Sequence, residues 1–288
     1  MSVPDTKDLK VGETKTVLVV ETGDAAVAFA TNLNVRVIKR RTSVPIVFKG
    51  PVKFAVETQD HVTQIVLPLV DRIAQILQLP LCGFEVSASN IQMAASFDVG
   101  IGVSGFSADL PIFLAMVSAL TGAGIPQNLL STGHMSSTEG HIRIVRNLPS
   151  KLKAARDDKS IDRVLYPDPT SDISMQVLDP DQVESILAAI AQAKRDLVVT
   201  PVRDVAGAVR EVFSEEAIVA AAVRRKIKDL QEVSHSTEHD AVQKVAEHLG
   251  CSIPERFLTV FQSIVRHGRI IEAPRLLELR VQSHIVQR

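Results

Sequence analysis

Ser107 stands in the stretch GFSADLPIFLAMVSALTG, residues 105–122, where a small polar cluster turns into an apolar run. A serine in that place either starts a helix or attacks something. Most serines ahead of an apolar helix are N-caps, with the hydroxyl accepting from an unpaired backbone N–H. Pro111 argues against that role. Proline is cheap only at the first three helical positions, where its missing N–H has no intrahelical partner. With Ser107 as the cap, Pro111 would be the fourth helical residue and would cost a backbone bond. A helix starting after Ala108 or Asp109 avoids this cost and leaves Ser107 just ahead of it. The stretch alone leaves cap and nucleophile both open. As a nucleophile, Ser107 needs a base, because a serine hydroxyl is weak at its free pKa.

Other polar residues, taken singly, have ordinary explanations. Lys151 reads as a solvated helix lysine. Thr132 reads as a turn residue. His134 and His141 flank that turn and read as polar loop residues, although either could assist catalysis. His235 and His239 share i, i+4 spacing, but there is no HExxH pattern and no cysteine nearby. No metal and no cofactor is expected from these residues.

The elements that must position these residues follow from periodicity. Residues 14–21, 34–40, 43–49, 52–57 and 83–89 read as strands, with Gly50-Pro51 as a turn or bulge. Residues 58–78 carry apolar side chains every three or four positions and read as an amphipathic helix with a kink at Pro68. Residues 110–120 are apolar on nearly all sides, as in a helix covered on both faces. Short strands are expected at 129–131 and 141–145, a helix at 149–156 and a strand at 161–167. Asp179, Pro180 and Gln182 make a good start for a helix reaching 195. A strand at 197–202 and a helix at 203–213 follow. Beyond 213 the pattern is all-helical, with caps at Ser214, at Ser236 or Thr237, and in Ser252-Ile-Pro-Glu255.

Composition sets the class. The chain of 288 residues is 45% apolar, with only 4% aromatic residues and no Trp. Its core must therefore be built from Val, Ile, Leu and Ala. A net charge of −1 gives no bulk attraction to nucleic acid or membrane. Cys82 and Cys251 both sit in apolar contexts and read as buried thiols in a reducing compartment. The N-terminal residues lack the pattern of a signal peptide. The longest nearly apolar run, LPIFLAMVSAL, is too short to cross a bilayer. These features predict a cytoplasmic protein with no membrane or nucleic-acid partner.

Five blocks occur in order: GFSADLPIFLAMVSALTG, LLSTGHMSSTEG, NLPSKLKAA and IDRVLYP carry them. This order resembles the proteolytic domain of Lon proteases. That family has a Gly-Pro-Ser-Ala-Gly nucleophile segment, a helix often ending Val-Ser-Ala-Leu-Thr-Gly, a Thr-Gly-Glu turn, a Lys-x-x-Ala-Ala helix and a strand ending Ile-Pro. Ser107-Ala108 falls on the nucleophilic Ser-Ala, Val117–Gly122 on the helix end and Thr132-Gly133 on the turn. Lys151 falls on the catalytic lysine and Tyr166-Pro167 on the strand end. One extra residue lies between Thr132 and Gly140. The resemblance covers roughly residues 12–213.

It implies a fold of mixed sheets with packed helices, α/β (α+β) in class, over residues 1–213. Residues 214–288 would form a helical C-terminal extension. It implies a Ser–Lys dyad, with Ser107 as nucleophile and Lys151 as base. The lysine must be neutral to act, so its pKa must fall from about 10.4 toward neutrality by burial without an anionic partner. Leu148, Leu152 and Ala154 can supply apolar surroundings. By the same analogy Thr132 would orient the lysine, and backbone N–H groups near Ser107 at the helix start would hold the oxyanion. A ring-shaped homo-oligomer, often sixfold, is also implied.

The sequence departs from the family at four places. Phe106 stands for the proline before the serine, Asp109 for the glycine two after it, His134 for the glutamate after Thr-Gly, and Arg146-Asn147 for Gly-Gly. Asp109 matters most: it could pair with Lys151 and keep it charged, cap the helix and point away, or polarise His134. No Gly-x-x-x-x-Gly-Lys-Ser/Thr phosphate loop is present. Two functions are therefore expected as alternatives. One is a Lon-like serine peptidase acting on polypeptides, alone or with a separate ATPase. The other is a catalytically inactive Lon-like module serving assembly or partner binding.

Overall fold

A computed structural model describes residues 8–22, 25–38, 43–77, 79–89, 101–103, 105–145, 147–214, 217, 218, 221 and 225. The chain runs through β1 (Leu9–Lys10), β2 (Glu13–Thr22), β3 (Ala25–Ile38), β4 (Ile46–Lys49) and β5 (Val52–Phe54). Next come α1 (Val56–His61), a π-helical stretch (Val62–Val66) and α2 (Leu67–Ile76). Then follow β6 (Gly83–Ser89), β7 (Ile101–Val103), α3 (Asp109–Thr121), β8 (Ile125–Pro126), β9 (Leu129–Ser131), β10 (His134–Met135) and β11 (Ile142–Arg143). The last elements are α4 (Leu148–Asp157), β12 (Arg163–Pro167), α5 (Pro180–Asp196), β13 (Val198–Val202) and α6 (Val205–Val212).

Seven strands form one mixed sheet in the order β13-β12-β9-β2-β3-β6-β4. Strands β13, β12, β9 and β2 are parallel. Strand β3 is antiparallel to β2 and β6, and β4 is parallel to β6. The α/β class expected from the sequence is therefore present.

Successive strand residues point to opposite faces, and each face has its own core. Leu18, Leu33, Val35, Leu129 and Leu165 pack in one cluster with the apolar residues of α2 and α3. Val17, Leu130, Val164 and Tyr166 pack in the other with Leu148 and Leu152 of α4 and Ile186 and Ile190 of α5. Helix α3 is buried along its whole length, as its all-round apolar pattern requires. Its end is tied down locally. Ser118 Oγ donates to the Ala123 carbonyl and accepts from the Gly12 N–H at 2.9 Å. Gly122 then takes a left-handed φ of 85° to stop the helix.

Several boundaries differ from the sequence reading. Strand β3 starts at Ala25, well before residue 34, and pairs with β2 through Thr22↔Ala25. Cross-strand pairing overrides the weak strand tendency of its Ala-rich start. The strand expected at 52–57 ends at Phe54, and helix begins at Val56. The kink expected at Pro68 takes the form of a π-helical stretch directly before it. That wider turn accommodates a ring that would otherwise clash with the preceding turn. The strand expected at 141–145 is shorter and is one arm of a hairpin, Met135↔Ile142.

Asp179 and Gln182 form the expected capping box of α5. Ser214 Oγ accepts from the Ala217 N–H at 3.1 Å, as a cap for the next helix should. The rest of the expected helical extension, with His235, His239 and Cys251, lies outside the described residues. Among the described residues no helix is long and apolar enough to cross a membrane.

Candidate active site

Helix α3 begins at Asp109, so Pro111 occupies its third position and costs no backbone bond. Ser107 lies ahead of the helix and its hydroxyl faces the α4 side of the sheet. The Ser107 loop is fastened to the turn after β9. Gly133 N–H donates to the Ser107 carbonyl and Leu110 N–H donates to the Gly133 carbonyl, both at 3.1 Å. Thr132 N–H donates to Leu165 of β12 at 3.1 Å, which anchors that turn to the sheet.

Helix α4 supplies the partner. Asn147, the residue before it, has a φ of 59°, a left-handed conformation that asparagine tolerates better than most residues. Pro149 then sits in the first turn, where its missing N–H is harmless. Leu148, Lys151, Leu152 and Ala155 are the buried residues of this helix. Their spacing makes one apolar stripe, and Lys151 occupies a core position within it.

Only 2% of Lys151 is exposed. Its Nζ lies 3.0 Å from Ser107 Oγ and donates to the Val17 carbonyl at 2.6 Å. Strand β9 is bridged to β2 at Lys15↔Leu130. The Val17 carbonyl lies two residues further along β2, where Lys151 meets it. Burial alone pushes the Lys151 amine down to about 8, because desolvation disfavours the charged form. A protonated Lys151 donates to Ser107 Oγ, whereas the neutral amine can accept the serine proton.

Asp109 takes one of the three courses that the sequence left open. It is fully buried, and its Oδ2 lies 3.1 Å from His61 Nε2 and accepts from the Met135 N–H at 3.1 Å. It therefore points away from Lys151 and makes no ion pair with it. Burial raises the Asp109 carboxyl to about 6, against the opposing pull of His61. The hydrogen bond to Asp109 raises the His61 pKa in turn. His134, which the sequence offered as Asp109's partner, is pushed down to about 4, mainly by burial and by neighbouring His61. Phe106 lies against both imidazoles, with ring centroids 4.2 Å from His61 and 5.1 Å from His134.

The expected bond from Thr132 to Lys151 is not formed. Thr132 Oγ1 donates to the Ser107 carbonyl at 3.3 Å, so it holds the serine's backbone rather than the lysine. Among the described residues nothing accepts from the N–H groups of Ser107 or Ala108. By contrast, Asp109 N–H is taken by the Phe106 carbonyl at 3.1 Å.

His61 is the residue that the sequence reading passed over. It lies in the amphipathic helix, far along the chain from the blocks that carry the resemblance. A scan against protein-family models found no match to this chain, and a search of curated proteins found none either.

Proposed function

We propose that this chain is a Lon-like serine peptidase that hydrolyses peptide bonds with Ser107 as nucleophile and Lys151 as general base. The single observation that carries this reading is the 3.0 Å approach of Ser107 Oγ to a buried Lys151 amine that has no anionic partner among the described residues. Serine–lysine pairs are a variant of the serine–histidine arrangement.

The reaction follows from the atoms in place. Neutral Lys151 takes the hydroxyl proton as Oγ bonds to the carbonyl carbon of the scissile peptide. The carbonyl electrons move to oxygen, and the unengaged N–H groups of Ser107 and Ala108 are the donors placed to receive that oxyanion. As the C–N bond breaks, the Lys151 ammonium returns the proton to the leaving amine. The acyl-serine is then attacked by water, which Lys151 deprotonates in the same way, and Ser107 is regenerated. The Val17 carbonyl holds one N–H of the lysine throughout and leaves the lone pair for Oγ. The chain carries no phosphate loop, and this hydrolysis needs none.

The test is hydrolysis of an unfolded polypeptide such as casein, together with labelling by a serine-directed electrophile at pH 9. Ser107→Ala and Lys151→Met should each lower turnover by about 1000-fold or more, within the range seen when one member of such a unit is removed. Label should appear on Ser107 in the unaltered protein alone. Equal hydrolysis by Ser107→Ala would sink the proposal. An unlabelled Ser107 with no hydrolysis would favour the alternative, a Lon-like module that binds partners or assembles without cleaving.

A further inference from the structure

His61, Asp109 and His134 come from α1, the first turn of α3 and β10. One potential ligand atom from each lies within 4.8 Å of the other two. We propose that these three side chains bind a divalent transition-metal ion of the zinc class, with at least one coordination position left for water or another ligand. The proposal rests on these residues and not on the peptidase reading.

The donor set is the first argument. Two imidazoles with one carboxylate suit zinc and its borderline neighbours, whereas magnesium and calcium take oxygen donors. Three protein ligands with one open position is also the arrangement of zinc sites that are not purely structural.

Spacing is the second. Donors at roughly 2.0–2.1 Å from a tetrahedral zinc ion lie about 3.3 Å from one another. His61 Nε2 and Asp109 Oδ2 are already 3.1 Å apart. The widest separation in the group needs a closure of only about 1.5 Å, within reach of side-chain rotation.

The third argument is what the polar atoms lack. Asp109 is wholly buried, and its Oδ1 has no hydrogen-bond partner. Buried carboxylate oxygens are almost always satisfied. The half-buried His134 imidazole likewise has no hydrogen-bond partner among the described residues, and it lies against the rings of His61 and Phe106. A cation held through both carboxylate oxygens gives Oδ1 and the His134 ring a partner at once.

The balance is simple. Without metal, the His61 Nε2 proton lies between Asp109 Oδ2 and the Met135 carbonyl, 2.9 Å from Nε2. Metal binding displaces that proton to solvent. The ion takes its place facing the same nitrogen and carboxylate, with the Met135 carbonyl beside them.

The test uses the full chain, stripped with a chelator and titrated calorimetrically with zinc chloride alone. Cobalt(II) serves as a second probe, because its visible absorption reports tetrahedral nitrogen and oxygen ligation. One equivalent should bind and should raise the melting temperature. His134→Ala removes a partly exposed ligand and should weaken binding by at least about tenfold, with the cobalt bands lost. Asp109→Asn should do the same. If it unfolds, His134→Ala with a native circular dichroism spectrum carries the result. The double variant His235→Ala/His239→Ala should bind as before. Undiminished binding in His134→Ala, loss of binding in the His235/His239 variant, or no binding by the unaltered chain would each overturn the proposal. Because calorimetry and cobalt spectra do not depend on hydrolysis, the metal site and the peptidase reading stand or fall separately.

Discussion

Asp109 Oδ2 meets His61 Nε2 at 3.1 Å and makes no ion pair with Lys151. The two residues that could have formed an ion pair lie on different sides of the Ser107 loop. Asp109 is tied to α1 and β10, whereas Lys151 reaches in from α4 beneath β2. A carboxylate against the amine would have raised its pKa and kept it protonated. With that charge engaged elsewhere, burial pushes the Lys151 amine down, toward the neutral form.

Hydrolysis should therefore rise with pH as a single ionisation centred at about 8. Below that value Lys151 is protonated and cannot accept the serine proton. Above it the rate should level off. The measurement is kcat/KM for a neutral peptide from pH 6 to 10, which reports ionisations of the free enzyme. A profile that is flat across this range, or one that falls as pH rises through 8, would contradict the assignment of Lys151 as base.

The same ionisation has a signature in stability. The folded-state pKa of about 8 lies below the ordinary value of 10.5. At neutral pH both states hold the proton, and folding must bury a charge. Between those two pKa values the folded state has lost a proton that the unfolded state keeps, so stability rises with pH. The full rise is about 3 kcal/mol, on the rule of about 1.4 kcal/mol per pH unit. Lys151→Met keeps an unbranched side chain and removes the charge. It should be more stable than the unaltered protein at pH 7, and the gap should close by about that amount toward pH 10.5. Urea melts of both proteins across this range give the difference, in which other titrating groups cancel. A gap independent of pH would mean that Lys151 is solvated.

Thr132 provides a sharper discrimination. If it oriented the lysine, Thr132→Val would move the pH midpoint of hydrolysis. Its hydroxyl instead donates to the Ser107 carbonyl at 3.3 Å. Losing one such bond costs about 1 kcal/mol, or about fivefold in rate. Thr132→Val should lower kcat/KM by about that factor and leave the midpoint where it is. A shifted midpoint would assign Thr132 to the lysine after all.

Some of this site is legible in the sequence and some is not, for physical reasons. Pro111 dates the start of α3 without any tertiary information, because a missing N–H is tolerated at so few positions. Lys151 carries a further signal in the sequence. Leu148, Leu152 and Ala155 form a stripe at helical spacing, and Lys151 falls inside it. A lysine in the apolar face of an amphipathic helix is itself a signal, independent of any family likeness. His61 gives no such signal. Its contact with Asp109 depends on how α1 packs beside α3 and β10, a long-range arrangement that local periodicity does not encode. The Thr132 contact failed for a related reason. A family likeness places residues near one another, but the direction of a hydroxyl is set by which acceptor the turn after β9 presents. The long β3 was missed because its Ala-rich beginning is held by pairing with β2 rather than by its own composition.

Gly133 ties the site to the core, and its replacement tests that connection. A Cβ built there would lie 2.8 Å from Ile142 Cγ2 and 3.2 Å from Leu110 Cδ2, so neighbours must shift. Overpacking of this kind costs about 1–3 kcal/mol. The same residue bonds through its N–H to the Ser107 carbonyl and through its carbonyl to the Leu110 N–H. A shift of the Gly133 backbone that relieves the clash therefore moves the Ser107 loop relative to Lys151. Gly133→Ala should lower stability by about 1–3 kcal/mol in urea melts. It should also lower kcat more than it raises KM, because the displaced group is the proposed nucleophile rather than a substrate contact. The discriminating result is the ratio of the two effects. Full kcat with reduced stability would show that the turn after β9 supports the core without positioning Ser107.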